Sequence, residues 1–314
     1  MMETNGERGE RRTGLSVIVP CLNAEATLSV QLEALAAQQW SEPWEFILSD
    51  NGSTDRSVEI ARCYKERLPY FKIVDASERK GGSYAINRAA RFIRFDKFVV
   101  CDADDEVSPG WVAAMGEALM AHDVVCGQFR FDKFNEPAVA LHTANLWKDG
   151  LYKGNFLPGG GSGNFGIHRS VHELIGGFDE RLFHAYDADY FWRLQLEGFK
   201  LHYHPAAVVQ VRLGRVNPSL SSLYRRAKVR AASNYWTYKR YRHLGMLPPK
   251  SLKRSMQDWF RVLKGSAHNA LRGKEGRIVW LRQFAGQTGE VVGQLLGKTR
   301  NPFTPYQPGK RRVT

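Results

Sequence analysis

The sequence predicts an α/β fold with a mostly parallel sheet, because one pattern repeats four times in its first 121 residues. In each repeat, a short segment rich in β-branched and aromatic residues precedes a longer segment whose apolar residues recur at helical spacing. Strands that are apolar throughout are typical of parallel sheets covered by helices on both faces. The 314 residues suffice for one large domain or two of ordinary size.

The first repeat sets the pattern for the others. Residues 15–20 (LSVIVP) predict a buried strand, and residues 24–39 predict a helix with Asn23 as its N-cap. The later repeats are predicted as strand then helix at 44–49 and 55–67, 71–75 and 83–94, and 97–101 and 109–121.

After residue 122 the alternation of strands and helices weakens. We predict a strand over 124–131, a glycine-rich stretch over 158–166 and a helix near 187–197. From residue 219 the sequence predicts basic helices, separated by segments rich in glycine or proline at 245–249 and 273–276.

The formal net charge of +13 is distributed unevenly along the chain. Residues up to 222 carry a net −5, whereas residues 223–314 carry +18. A segregated basic excess is typical of contact with a polyanion, either nucleic acid or an anionic membrane surface. We therefore expect three parts: a flexible N-terminus over 1–13, an α/β domain over 14–218 and a basic helical region over 219–314.

Apolar residues of the basic region recur at helical spacing among lysines and arginines, as at Leu252, Met256 and Leu263. This amphipathic pattern predicts either packing on the protein's own core or binding at a membrane interface. Aromatic residues interleaved with cations over 224–242 would also suit stacking on nucleic-acid bases, but no nucleic-acid motif accompanies them.

The sequence offers no signal for secretion or for a membrane span. No segment approaches the ~20 apolar residues of a spanning helix. The apolar run over 15–22 contains Pro20 and lacks a small-residue cleavage site, which favours a buried strand. The four cysteines show neither zinc-ligand spacing nor a disulfide framework. We expect a cytoplasmic protein, peripheral on the inner face of the plasma membrane if the basic region binds lipid.

Polar clusters follow all four strands of the repeats. They lie at 20–23, 50–55, 78–82 and 102–105. Because ligands of open α/β sheets bind beyond the carboxyl ends of the strands, we expect all four clusters at one binding edge.

The last cluster brings Asp102, Asp104, Asp105 and Glu106 within five positions. The negative charges of these side chains repel one another, which is unfavourable unless a cation or hydrogen-bond donors compensate. Carboxylate oxygens suit Mg²⁺ or Mn²⁺. The alternative is a solvated loop before the helix at 109–121, with Glu106 or Ser108 as the cap.

Two other clusters also leave alternatives open. The 50–55 cluster predicts either a turn with Asp55 as a helix cap or a carboxylate and an amide that bind a nucleobase edge. Residues 79–82 (RKGG) predict either a phosphate site or a simple strand-to-helix loop.

Taken together, these motifs resemble the family-2 glycosyltransferases (GT2), inverting enzymes with the GT-A fold. The resemblance covers roughly residues 13–212, and its segments are LSVIVPCLNAEATL, SDNGSTDRS, the DADD of 102–105 and GGFDERLFHAYDADYFWRLQLEGFKL. It implies a nucleotide-diphosphate sugar as donor, Mn²⁺ or Mg²⁺ as cofactor, and a glycan or lipid-linked acceptor, as in the biosynthesis of cell-envelope polysaccharides.

The resemblance also implies roles for individual residues. Asp104, helped by Asp102, would hold the metal, as the Asp-x-Asp motif does in the family. The family usually has a second aspartate where this chain has Asn51. The residues that would bind the donor nucleotide are Pro20, Asn23, Asp50, Asn51, Lys80, Gly82, Asp102 and Ala103.

The later part of the resemblance implies a catalytic base and a mobile loop. Asp187 falls at the position of the base, with Tyr186 in place of the usual glutamate, although Asp187 would also suit a helix cap. Many relatives carry a histidine where this chain has Gln210, and Arg212 would take over a phosphate contact. A flexible loop over donor and acceptor, or else an ordinary linker, would comprise Gly161, Ser162, Gly163 and Asn164.

Two other functions remain alternatives. A nucleotidyltransferase on a related fold would normally show a glycine-rich phosphate loop after the first strand, and PCLNAEATL has none. A nucleic-acid-binding protein would use the basic region, and its binding would depend steeply on salt.

Overall fold

The structure is a computed structural model that describes residues 13–147, 149–213, 219–265, 273–300 and 302–309. All but the last residue of the predicted flexible N-terminus lie outside the described residues. Contacts between residues divide the chain into two units, which we call the sheet unit and the helical unit. The sheet unit comprises residues up to 133, 161–177 and 200–211, and the helical unit comprises 134–160, 178–199 and 212–314. These units interleave along the chain, whereas the predicted boundaries run consecutively.

The sheet unit contains an eight-stranded mixed sheet, and the four strands predicted from the repeats are all present. The strand order is β3-β2-β1-β4-β7-β6-β8-β5, with parallel pairing from β3 to β4 and antiparallel pairing on both sides of β7. The strands are β1 Leu15–Cys21, β2 Trp44–Asp50, β3 Lys72–Asp75, β4 Lys97–Cys101, β5 Glu106–Val107, β6 Val124–Arg130, β7 Asn164–His168 and β8 His202–Gln210.

Short helices cover this sheet. The first four are each shorter than the periodic segment that predicted them, and α6 was not predicted. Except for Pro20, the apolar residues of β1 and β4 are buried, as expected for strands covered on both faces. The helices are α1 Leu28–Ala36, α2 Ser57–Arg62, α3 Gly82–Ala90, α4 Trp111–Ala121 and, after β7, α6 Arg169–Leu174.

Two predicted helix caps are wrong. The helix α1 is preceded by Thr27, while Asn23 has a left-handed backbone (φ +53°) and its side chain accepts a hydrogen bond from the Thr54 amide. The helix α4 begins after Gly110, which also has a positive φ, rather than after Glu106 or Ser108. Asn23 does not cap α1 because its side chain accepts a hydrogen bond from another loop. Neither Glu106 nor Ser108 caps α4 because the chain turns at Gly110 directly before the helix.

The helical unit is built mainly from helices of the basic region. Ser219 and Ser251 cap α8 and α9, since each side chain accepts a hydrogen bond from the amide three residues on. The predicted break over 273–276 is wrong, because these residues begin the longest helix. The helices are α5 Pro137–Leu146, α7 Tyr186–Leu196, α8 Leu220–Tyr241, α9 Leu252–Lys264 and α10 Gly273–Thr299.

A stripe of glycines allows α10 to lie very close to α8. A Cβ on Gly289 would overlap the Tyr224 carbonyl, and one on Gly293 would overlap the Lys228 carbonyl. Glycine is otherwise unfavourable inside a helix, by about 1 kcal/mol relative to alanine. The stripe is therefore explained by close backbone approach. Among the described residues, no helix combines the length and the apolar character that a membrane crossing requires.

Candidate active site

The carboxyl ends of β1, β2 and β3 are aligned in the sheet, which brings their polar clusters to one edge. Cys21 pairs with Asp50, and Asp50 pairs with Asp75. The loops after β1 and β2 are joined by hydrogen bonds: the Asn23 amide donates to Ser53 Oγ (3.1 Å) and the Ser53 amide donates to Asp50 Oδ1 (3.0 Å). The first two predicted donor-binding clusters are thus fixed to each other.

Asn51 is buried and its side-chain amide is used by the loop that follows β3. Nδ2 donates to the carbonyls of Ala76 (2.6 Å) and Arg79 (2.7 Å), and Oδ1 accepts from the Gly81 amide (2.8 Å). A carboxylate could not make the two donor bonds. Asn51 therefore braces the Arg79–Gly82 loop, a role that the resemblance did not indicate.

Lys80 ties the same two loops together from the other side. Its ammonium group donates to the carbonyls of Asn51 and Gly52, both at 2.9 Å. Gly52 has a φ of +80°, and a Cβ there would lie 2.7 Å from Lys80 Nζ. The loop thus requires glycine at this position to let the lysine approach. Gly82, the last residue of the RKGG motif, begins α3, and Pro20 is half-buried in β1.

The acidic cluster after β4 forms a compact group of three carboxylates. Oxygen atoms of Asp102, Asp104 and Asp105 all lie within 4.8 Å of one another. Asp104 is exposed and Asp105 is buried. The Cys101 thiol lies beside this negative charge. Its pKa is raised well above its usual range, first by desolvation and then by the charges of Asp102 and Asp105.

The backbone around these aspartates is held by Gln31 of α1. Its Nε2 donates to the Asp102 carbonyl (2.9 Å), and its Oε1 accepts from the Val107 amide (2.9 Å). One buried side chain therefore fixes both ends of the acidic loop.

The three carboxylates fit a divalent cation. They are hard oxygen donors within one coordination sphere, as Mg²⁺ and Mn²⁺ prefer. Gly163 lies directly against Asp102, so closely that a Cβ there would overlap the carboxylate. Asp105 extends the pair Asp104 and Asp102 that the resemblance implied. Glu106 is occupied elsewhere, because both its oxygens accept from Lys133 Nζ at 2.6 Å.

The predicted loop over 161–164 is buried. Asn164 begins β7, and its side chain accepts from Trp111 Nε1 (2.8 Å) and donates to the carbonyls of Gln128 and Ala207 (both 3.0 Å). Gly163 thus serves close packing against Asp102.

Asp187 lies in the helical unit, in the first turn of α7. It is half-buried, and desolvation raises the pKa of its carboxyl group although the Ala188 amide donates to Oδ1 (2.8 Å). The helix begins after Ala185, whose φ is +59°, so Asp187 is not its N-cap. The alternative of a simple capping role is therefore wrong.

Asp189, two residues further on, is fully buried in a network of ion pairs that the sequence analysis missed. It accepts from Arg193 Nε (2.9 Å), from the Tyr241 hydroxyl (2.6 Å) and from Arg240 Nη1 (2.8 Å). Arg240 also pairs with Asp179 (3.0 Å). The spacing of Asp189 and Arg193, one helical turn apart, was the signal available in the sequence.

Ala103 is buried after β4, and two further predicted positions have different surroundings. Gln210 ends β8 opposite Glu106, and its Oε1 is buried with no hydrogen-bond partner among the described residues. The Arg212 guanidinium group lies over the ring of Phe134, 3.9 Å from its centroid.

Comparison with known proteins identifies relatives for part of the chain. It is 39% identical over 106 residues to the uncharacterized glycosyltransferase YibD of Escherichia coli, covering 34% of this chain and 29% of that protein. It is 25% identical over 213 residues to the probable glycosyltransferase YdaM of Bacillus subtilis, covering 62% and 49%. The chain thus spans less than half the length of these relatives.

Solved structures share its fold. The Pyrobaculum calidifontis mannosyltransferase PcManGT, in complex with GDP-Man and Mn²⁺, aligns over 91% of this chain and 87% of its own with a TM-score of 0.56 and 16% identity. S. aureus TarS 1-349 in complex with UDP-GlcNAc aligns over 92% and 93%, with a TM-score of 0.51 and 14% identity. The predicted GT-A fold is confirmed.

The family model described as glycosyl transferase family 2 matches residues 16–176. This range includes the loops after β1, β2 and β3, which hydrogen bonds join to one another, and the three carboxylates after β4. Because the match spans just over half of the 314 residues, the protein belongs to glycosyl transferase family 2.

Proposed function

We propose that the protein is a metal-dependent inverting glycosyltransferase that moves a sugar from a nucleotide-diphosphate sugar to a hydroxyl of a glycan or lipid-linked acceptor. The observation that carries this proposal is the group of three carboxylates after β4, held by Gln31 and pressed against Gly163, in a chain of this family. The PcManGT complex with GDP-Man and Mn²⁺ supports the choice of donor and cation.

Asp104 and Asp102, with Asp105, would hold Mn²⁺ or Mg²⁺. A cation bound there supplies positive charge to a leaving diphosphate. Lys80 adds a second positive charge at the end of β2, where the Asp50 and Asn23 loops are joined. Pro20, Asn51, Gly82 and Ala103 would complete the donor nucleotide site. Arg212 would contact a phosphate of the donor.

Asp187 would remove the proton of the acceptor hydroxyl. A base is most effective when its pKa approaches the working pH, and desolvation moves the pKa of Asp187 in that direction. The proton passes to the carboxylate as the hydroxyl oxygen attacks the anomeric carbon and the diphosphate leaves. A single displacement inverts the configuration at that carbon.

The experiment that tests this proposed function begins with binding of the nucleotide-sugar donor. Nucleotide diphosphates and their sugars are screened by thermal shift with Mn²⁺, because a ligand of the folded state raises the melting temperature. Asp104→Asn should abolish the Mn²⁺-dependent part of the shift, and Asp187→Asn should retain it while losing donor turnover by about 10³-fold or more. The control Asp132→Asn alters an exposed aspartate of the sheet unit. Intact turnover in both site variants would refute the assignment.

We also propose that α9 binds an anionic membrane surface on the cytoplasmic side, where a lipid-linked acceptor would lie. One face of α9 packs inward, with Ser255 buried, but Met256 and Phe260 remain 43% and 50% exposed. Lys253 and Lys264 stand one turn before and after this apolar pair and are exposed. Cations that border apolar side chains suit an anionic lipid interface.

Vesicle flotation tests this surface with the full chain. Vesicles of phosphatidylcholine with phosphatidylglycerol should bind the protein, and vesicles of phosphatidylcholine alone should not. Phe260→Ala combined with Lys264→Ala should weaken binding at least about tenfold, whereas Lys65→Ala, at an exposed lysine of the sheet unit, should not. Equal binding to both kinds of vesicle, or to neither, would contradict the proposal.

A further inference from the structure

A polar groove lies within the helical unit between α8, α9 and α10, and the proposed mechanism does not use it. Its volume is about 660 Å³. Sites of this size usually have mostly apolar walls, but here Val262 is accompanied by amide and charged side chains. They include Arg230, Asn234, Asp258, Gln283, Gln287 and Glu290. The ligand that such walls suit is hydrophilic.

The charged residues of the groove are paired with one another, three cations with two carboxylates, which leaves a net charge of +1. Arg230 pairs with Glu290 (3.6 Å), and Asp258 pairs with both Lys250 (2.6 Å) and Arg261 (2.7 Å). Gln294 also donates to Glu290 (3.1 Å). A polyanion would have to compete with these carboxylates for each cation. The groove therefore favours a ligand that carries many polar groups and little charge.

Gln287 indicates which polar groups the ligand must have. Its Oε1 is buried and has no hydrogen-bond partner among the described residues. An amide oxygen only accepts hydrogen bonds, and an ionised phosphate or carboxylate oxygen cannot donate one. A hydroxyl group can, and a buried acceptor left without a donor is unfavourable.

Arg230 of the groove also acts electrostatically on His184 in the same unit. Desolvation, followed by the charges of Arg230 and Arg226, lowers the pKa of His184 to about 4. His184 lies three residues before Asp187. Arg230 is thus shared by the groove and the surroundings of His184.

From this arrangement we propose that the groove between α8, α9 and α10 binds a saccharide chain through its hydroxyl groups, with Gln287 Oε1 as an acceptor. The identification of this saccharide as the acceptor glycan rests on the proposed function. Asn234 and Gln283 supply both donors and acceptors, which matches the mixed hydrogen-bonding capacity of neighbouring hydroxyls on a sugar ring.

Saturation-transfer NMR with the full chain tests the binding directly. The probes are cellohexaose, chitohexaose, a hexasaccharide of alternating glucuronic acid and N-acetylglucosamine, and inorganic phosphate. At least one saccharide should bind, and Gln287→Met, which keeps the length but removes the acceptor, should weaken it about tenfold. The matched control is Gln257→Met on the exposed face of α9, which should leave the affinity unchanged.

Three outcomes would overturn the groove proposal: no saccharide binds, saccharide affinity is the same in Gln287→Met, or phosphate alone binds and is displaced by none of the saccharides. Melting temperatures establish that each variant is folded. The thermal shift with nucleotide sugars and Mn²⁺ reports separately on the proposed function. Donor binding without saccharide binding would refute the groove alone, and the reverse result would refute the proposed function alone.

Discussion

The two units of the protein hold their aspartates in opposite ways. In the sheet unit, Asp102 stands in a loop fixed by backbone hydrogen bonds to Gln31 and by contact with Gly163. In the helical unit, Asp187 stands on a helix anchored by the buried pairs of Asp189 with Arg193 and Arg240. The first arrangement groups three carboxylates at the site proposed for a cation, and the second pairs its buried carboxylates with arginines of the same unit. Stability and metal binding should therefore respond to different substitutions.

Breaking the ion-pair network should have the largest effect on stability. Arg240→Met leaves the buried carboxylates of Asp179 and Asp189 short of a cation that lies 3.0 and 2.8 Å away. Removing one partner of a buried ion pair typically costs about 3–5 kcal/mol. Denaturant unfolding should show this loss in the free energy of unfolding.

The matched variant for Arg240 is Arg181→Met. Arg181 also pairs with Asp179, at 2.7 Å, but its side chain is 44% exposed, so solvent screens the loss. Its effect should be clearly smaller. Equal losses of stability in both variants would show that burial does not distinguish the two ion pairs. The stabilising role given to the buried network of the helical unit would then be wrong.

The glycine stripe gives the next largest effect, because two glycines of α10 differ in what surrounds them. Gly293→Ala places a methyl group against the Lys228 carbonyl, and such overpacking costs about 1–3 kcal/mol. Gly286→Ala meets nothing within 4 Å and should stabilise by about 0.5–1 kcal/mol through helix propensity. Thermal unfolding of the two variants measures the difference, and effects of the same sign would contradict close packing of α10 on α8.

The strands of the four repeats were predictable because each is a contiguous apolar run followed by a segment whose apolar residues recur at helical spacing. Strand β7 was not, since Gly163 and Asn164 have the composition of a linker and their burial depends on Asp102 and Trp111, which are distant in sequence. The carboxylate group was predictable from local spacing. The bracing role of Asn51 was not, because its three partners belong to a loop about 25 residues away.

The long helix α10 shows the same limit. The glycines at 273 and 276 predict a break by propensity, yet α10 begins at Gly273. Further along the helix, Gly289 and Gly293 lie against α8, and this close packing explains residues that helix propensity disfavours. Apart from Arg193, the partners of Asp189 are Arg240 and Tyr241, which lie more than 50 residues further along the chain. Local sequence pattern thus predicts strands and side-chain clusters built from consecutive residues. It misses contacts between residues that are distant in sequence.

In the sheet unit, Gly163→Ala should weaken metal binding without a large loss of stability. The added methyl group displaces the Asp102 carboxylate, and we expect Mn²⁺ affinity to fall about tenfold or more, in the range typical of changes around metal ligands. Isothermal titration with Mn²⁺ measures this. Gly159→Ala is the control, because its Cβ would meet Phe191 at an ordinary 3.6 Å. Unchanged affinity in Gly163→Ala would separate Asp102 from the metal site.

The smallest effect concerns the pH dependence of stability. Desolvation raises the pKa of Asp187 in the folded protein, so the folded state binds this proton more tightly than the unfolded chain, whose aspartates have a pKa of about 3.9. The native carboxyl group therefore costs stability as the pH rises through its folded pKa, and costs nothing below the unfolded pKa.

Asp187→Asn removes that titration. Its free energy of unfolding should exceed that of the native protein at pH 7, and the difference should vanish below about pH 4. Asp75→Asn should behave in the opposite way, because hydrogen bonds from Ser77 lower the pKa of that exposed carboxyl group. Denaturant unfolding at several pH values compares the two. A gain for Asp187→Asn that persists at low pH would mean that the carboxyl group is unfavourable for reasons other than its charge, and the argument for Asp187 as a base would lose its electrostatic support.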